Sequence, residues 1–143
     1  MSKGTELSTE IEARLATITP ANGFATDIKA VYAFGKSKPD SAPAPVILLR
    51  AGDDQLISNV WPDAVRQVTF QVEGVMARAA TLQDLQALHH DIVKAVFGSK
   101  LPGTRPLQSG QQFEESADFD PDTDGSTNQR VIVNITLNYV ESY

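Results

Sequence analysis

Two stretches of this chain alternate apolar and polar side chains residue by residue. Between Gln67 and Met76, Val68, Phe70, Val72 and Met76 alternate with Gln67, Thr69, Gln71 and Glu73, and Gly74 falls in the apolar row. Between Arg130 and Tyr139, Val131, Val133, Ile135, Leu137 and Tyr139 alternate with Ile132, Asn134, Thr136 and Asn138. A period of two is a strand with one face on a core and the other toward water or a partner. The chain therefore needs an apolar layer to cover one face of a sheet.

Two helices can supply that layer. Leu7, Ile11, Leu15 and Ile18 fall on one helical stripe. Thr5 or Ser8 can cap it, Glu6, Glu10 and Glu12 suit its positive end, and Pro20 and Gly23 end it. The second helix is predicted over Leu82 to Phe97, with Leu82, Leu85, Leu88, Ile92, Val96 and Phe97 as its stripe. Thr81 and Asp84 form a capping pair, and Gly98 is placed for a left-handed C-cap.

Shorter signals fill the rest. Ile28, Ala30, Tyr32 and Phe34 share a face of a predicted strand. Gly35 to Pro45 reads as a long loop, and Val46 to Arg50 as a second strand completing a hairpin. Ala51 to Asp63 is ambiguous: Gly52, Asp53 and Asp54 resemble a turn, and Trp61-Pro62 a break, with Trp61 at one end of the core or at an interface. Leu101 to Gly110 is loop. Phe113 to Phe119 is a weak acidic strand, joined by the turn Asp120 to Asn128 to the last strand. The order predicts one α+β domain: an antiparallel sheet of roughly four to six strands with two helices on one face.

A chain of 143 residues can bury one core, and 41% hydrophobic with 21% charged residues is ordinary globular usage. With no cysteine, disulfide scaffolds and thiol chemistry are excluded. No apolar run approaches the roughly 18 residues of a membrane helix. The polar start, Met1 to Glu12, does not read as a signal peptide. The expectation is a soluble protein made in a cytoplasm, with no membrane partner.

The net charge of −6 is unevenly placed. Six of the 18 acids (Glu114, Glu115, Asp118, Asp120, Asp122 and Asp124) lie between Pro106 and Gln129 without a Lys or Arg; the other 12 balance 12 bases. Phosphate binding needs clustered cations. The closest pair, Lys36 and Lys38, is followed by Asp40. Specific nucleic-acid binding is not expected, whereas a negative surface lets DNA slide past.

Catalytic and metal motifs are incomplete. Asp120, Asp122, Asp124 and Gly125 match the first half of an EF-hand loop, but Val131 stands where the bidentate Glu belongs. His89 and His90 have no ligand four residues away on their helix. No GxSxG elbow, GxGxxG or phosphate loop occurs. No catalytic residue, cofactor or metal is expected, and the chain is not read as an enzyme.

A short amphipathic helix, a long-tipped hairpin, an alternating strand directly before TLQDLQALHHDIVKAVFG, and an acidic turn leading into RVIVNITLNYV follow one another from Glu6 to Tyr143. In pattern, length and order this resembles the tail terminator (tail completion) proteins of long-tailed bacteriophages and phage-like particles. The resemblance implies a structural virion protein at the tail–neck junction, assembled in the host cytoplasm. Such a protein forms a homo-hexameric ring on the head-proximal end of the tail tube. The ring stops tube polymerisation and offers a docking surface to the head or neck connector. DNA passes through its lumen without specific binding, and sheath protein is a further partner where the tail is contractile. Carried onto this chain, the loop with Lys36, Lys38 and Asp40 would be a contact arm, and Gln67, Thr69, Gln71 and Glu73 an exposed row facing a neighbouring subunit or the tube. Glu114, Glu115, Asp118, Asp120, Asp122 and Asp124 would face the lumen or a partner. Three other readings stay open: a head-completion or stopper protein of the neck, a small metal-dependent enzyme, and a monomeric binding module.

Overall fold

The computed structural model describes residues 2–119 and 128–143. Helix α1 (Lys3–Leu15) begins at Ser2, whose hydroxyl accepts from the Thr5 amide. Ser2 is thus the cap, not Thr5 or Ser8; the Ser8 hydroxyl bonds back to the Gly4 carbonyl from inside the helix. Leu7, Ile11 and Leu15 are buried, and Ile18 reaches the same core just past the helix end.

Strand β1 (Ala30–Ala33) is followed by β2 (Val46–Val60) and β3 (Asp63–Met76). Then come α2 (Leu82–Phe97), β4 (Thr104–Arg105), β5 (Phe113–Asp118) and β6 (Gln129–Ser142). The sheet order is β1-β2-β3-β6-β4, and β5 pairs β6 beyond β4. All pairings are antiparallel except β1 with β2. The architecture is the expected α+β domain, with a mixed rather than wholly antiparallel sheet.

The predicted hairpin of Ile28 to Arg50 is therefore a crossover. Twelve residues separate Ala33 from Val46, long enough to carry the chain back for a parallel start. The core side of β1 is Val31 and Ala33, not the predicted Ile28, Ala30, Tyr32 and Phe34 row. Ile28 reaches the core from before the strand. Phe34 leaves with φ 52° and sets its ring against Phe70 at 6.4 Å. The true hairpin joins β2 to β3 at Trp61-Pro62.

Both helices lie on the sheet face formed by Val68, Phe70 and Val72 of β3 and Val131 to Tyr139 of β6. Gly74 lets α2 approach: a Cβ there would meet Leu88 Cδ2 at 2.5 Å. The Thr81–Asp84 capping box is present. Leu82, placed in the predicted stripe, is exposed at the first helical residue. Asp91, buried on the same helix, accepts the Thr26 amide at 2.7 Å. Gly98 is right-handed at φ −64°, not a left-handed cap. The Val96 carbonyl at the end of α2 and the Ser99 and Lys100 carbonyls just past it are met instead by Arg14 of α1, at 2.7, 2.7 and 3.0 Å.

Candidate functional site

The most distinctive surface is the part of β2 and β3 beyond the body. From Arg50 to Val60 every residue of β2 is exposed. The strand continues where a turn was expected, because Gly52, Asp53 and Asp54 form an irregularity in the ladder instead. Register shifts between Ala51 and Asp54 and between Leu56 and Ser58 are bulges of this kind, which bend and twist an edge. A Cβ at Gly52 would lie 3.2 Å from the Thr69 carbonyl, so the first bulge also needs a small residue.

The ribbon carries apolar side chains at its end. Leu56 and Ile57 are half-exposed, Val60 is 85% and Trp61 75% exposed. Trp61 stacks on Tyr143, with ring centroids 6.0 Å apart and planes 3° from parallel. Large apolar side chains exposed near one another along a ribbon are the composition expected of an interaction surface.

A polar brace fixes the base of this arm. Asp54 Oδ1 accepts from Arg66 Nε at 2.7 Å, and Oδ2 from the Tyr139 hydroxyl at 2.6 Å. Burial, and then the bond to Asp54, raise the Tyr139 hydroxyl above its ordinary pKa; the bond to Asp54 raises Arg66. Beside them Glu141, 8% exposed, accepts the Lys3 and Gly4 amides at 3.0 and 3.1 Å. It thereby satisfies two of the four free N–H groups at the start of α1. Asp54, Tyr139 and Glu141 line a cleft of about 410 Å³ between α1 and the arm. Two of its three carboxylates, Asp54 and Glu141, accept from internal donors and tie the foot of the arm to β6 and α1.

No protein-family model and no curated protein sequence matches the chain. The surface itself therefore carries the functional argument.

The face of the sheet opposite the helices holds most of the predicted interface residues. Gln67 bonds Asn138 at 3.3 Å, and Thr69 bonds Thr136 at 3.0 Å. Gln71 accepts from Arg50 at 3.2 Å. These three are part-exposed. Glu73 is not: it is 5% exposed, between Arg50 at 3.5 Å and Arg130 at 3.4 Å. It shares the outer row, but two flanking guanidiniums cover it, so it is corrected from interface to internal ion pair. The loop after β1 is brought to this face too; Lys36 and Lys38 line a shallow cleft with Tyr32, Leu48 and Arg50. Lys36 and Asp40 are exposed and Lys38 half-buried.

The acidic segment divides by strand geometry. Glu114 and Asp118 are exposed on the outer face of β5. Glu115 points the other way, part-buried, and pairs with His89 Nε2 of α2 while Phe119 sets its ring edge against that imidazole. Glu115 thus leaves the predicted acidic surface. Asp120, Asp122 and Asp124, with the EF-hand-like turn, lie outside the described residues. Among the described residues no group of three His, Asp or Glu side chains is placed to hold a metal ion, and no helix is long and apolar enough to cross a membrane.

Sequence reasoning missed Leu56, Ile57 and Val60 as a surface, and Asp54, Arg66, Tyr139 and Glu141 as its brace. One signal was available: Trp61-Pro62 stands between two residues that can pair, Val60 and Asp63, as a two-residue hairpin loop does.

Proposed function

We propose that this chain is the subunit of a structural ring that caps the head-proximal end of a phage tail tube. In this reading it stops tube polymerisation and presents a docking surface to the head connector, while DNA crosses the lumen without specific binding. The observation that supports it most is the arm: eleven consecutive exposed residues of β2, Arg50 to Val60, ending in Trp61. An enzyme builds inward, around a pocket with free polar groups. Here the distinctive chemistry points outward, and the enclosed polar groups brace one another. Rings are made by repeated contacts between unlike surfaces of identical subunits. A projecting ribbon supplies one such surface.

The test is light scattering after size-exclusion chromatography over a concentration series, with negative-stain imaging. The expected result is a closed ring with a central hole, which binds the end of purified tail tubes and halts their extension. A chain that neither self-associates nor binds tubes overturns the proposal. Recovery with the capsid rather than the tail, after particle disassembly, would replace it with the neck-stopper reading.

A further inference from the structure

Two strands close the sheet at opposite edges. Among the described residues β1 pairs only with β2, and β5 only with β6. Each leaves one row of backbone N–H and C=O groups open to a further strand. The pairings from β1 through β2, β3 and β6 make β5 run opposite to β1. Two subunits set side by side in the same orientation therefore bring β5 of one antiparallel to β1 of the next.

The register also fixes the height of each side chain along these edges. Tyr32, Leu48, Glu73, Ile132 and Asp118 share one rung across the sheet, on the face away from the helices. Glu114, opposite Thr136, lies four rungs toward the arm on the same face. Both acids of β5 are exposed. At the other edge, Lys36 and Lys38 follow β1 and line a cleft of about 320 Å³ with Tyr32, Leu48 and Arg50. Tyr32 and Leu48 stand on the Asp118 rung, and Arg50 two rungs toward the arm. Two bases and two acids thus sit on one face, at one level, at opposite edges. Among the described residues none of the four forms an ion pair. Arg105, opposite Asn138, is further toward the arm than either acid and stands outside this match.

We infer that the β5 edge of one subunit docks on the β1 edge of a second copy of this chain, with Glu114 and Asp118 facing Lys36 and Lys38. This rests on the ring proposal and names its subunit contact. A two-fold pairing of like edges would set lysines against lysines, or acids against acids, and like charges across a contact oppose association. The unlike pairing joins subunits head to tail, the kind of contact that closes a ring. The arm prolongs the β1 side of the sheet beyond the end of β1, so it borders the same neighbour.

The experiment mixes two charge-reversed chains. One carries Lys36→Glu with Lys38→Glu, the other Glu114→Lys with Asp118→Lys, and circular dichroism checks the fold of each. Each alone is expected to associate roughly tenfold or more weakly than wild type in the light-scattering series. Mixed in equal amounts they are expected to regain assembly, because an acidic edge then meets a basic edge at every contact of an alternating ring. A salt series needs no variant: wild-type association is expected to weaken as ionic strength rises, and no change would overturn the contact. If wild type assembles and both reversed chains assemble as well as it does, or both fail and the mixture fails with them, this contact is wrong and the ring proposal survives. If wild type neither self-associates nor binds tubes, both fall.

Discussion

At the scale of single residues, the chain places its polar groups at the joint between arm and body. Tyr139 is the clearest case. Its ring closes the core while its hydroxyl donates to Asp54 at the foot of the arm. Tyr139→Phe keeps the ring and removes a bond to a charged acceptor, so unfolding should need about 1.5 kcal/mol less, measured by denaturant titration. The pH dependence follows from the sign of the shift. Folding raises the Tyr139 pKa, so its contribution is whole below the ordinary tyrosine range, near pH 10, and falls as pH rises beyond that. Wild type should lose stability there more steeply than Tyr139→Phe; equal slopes would show that the hydroxyl is not the group responsible. Gly74 tests the opposite limit, close packing. With Leu88 2.5 Å from the position of a Cβ, Gly74→Ala should cost about 1–3 kcal/mol and lower the thermal midpoint. A neutral result would mean that α2 can slide along the sheet.

At the scale of elements, strong periodicity was legible and connection geometry was not. The bounds of α2 were readable because a stripe, a capping box and a glycine agree; β6 was readable from its alternation. The direction of β1 was not, because a loop of that length permits a hairpin or a crossover, and only the neighbours decide. The arm was hidden for a local reason: Gly-Asp-Asp is turn chemistry that here serves a bulge within a continuing strand. Glu73 was misjudged because alternation assigns a side, not an exposure, and Arg50 and Arg130 come from other strands. The end of α2 shows the same limit. Gly98 has the right identity for a left-handed cap, yet the carbonyls are taken by an arginine distant in sequence. Its lack of a side chain matters for space, since a Cβ would lie 2.6 Å from the Lys94 carbonyl. Arg14→Ala should therefore loosen the last turn of α2, costing about 1–2 kcal/mol and speeding amide exchange there. Arg14→Lys should not restore it, because one ammonium lacks the forked reach to three carbonyls.

At the scale of the whole molecule, the proposed function divides two tasks, folding in the body and association in the arm. The apolar core draws on both helices and the inner sheet face, and none of its members lies between Leu49 and Val68. The apolar residues of the arm are instead held in water, where they add little to folding and are available for association. Replacing Trp61-Pro62 with Asn-Gly separates the two tasks. Asn-Gly is a favoured two-residue hairpin turn, so Val60 and Asp63 can stay paired. The change removes the stacked indole from Tyr143 but touches no core residue. Unfolding free energy should therefore shift by no more than about 0.5 kcal/mol, while association in the light-scattering series is lost. A large fall in stability would instead make the arm part of the cooperative core, and its exposed apolar end would need an explanation within the monomer. Unchanged stability with unchanged assembly would remove the arm from the interface and leave the polar outer face, with Gln67, Thr69 and Gln71, as the surface that subunits share.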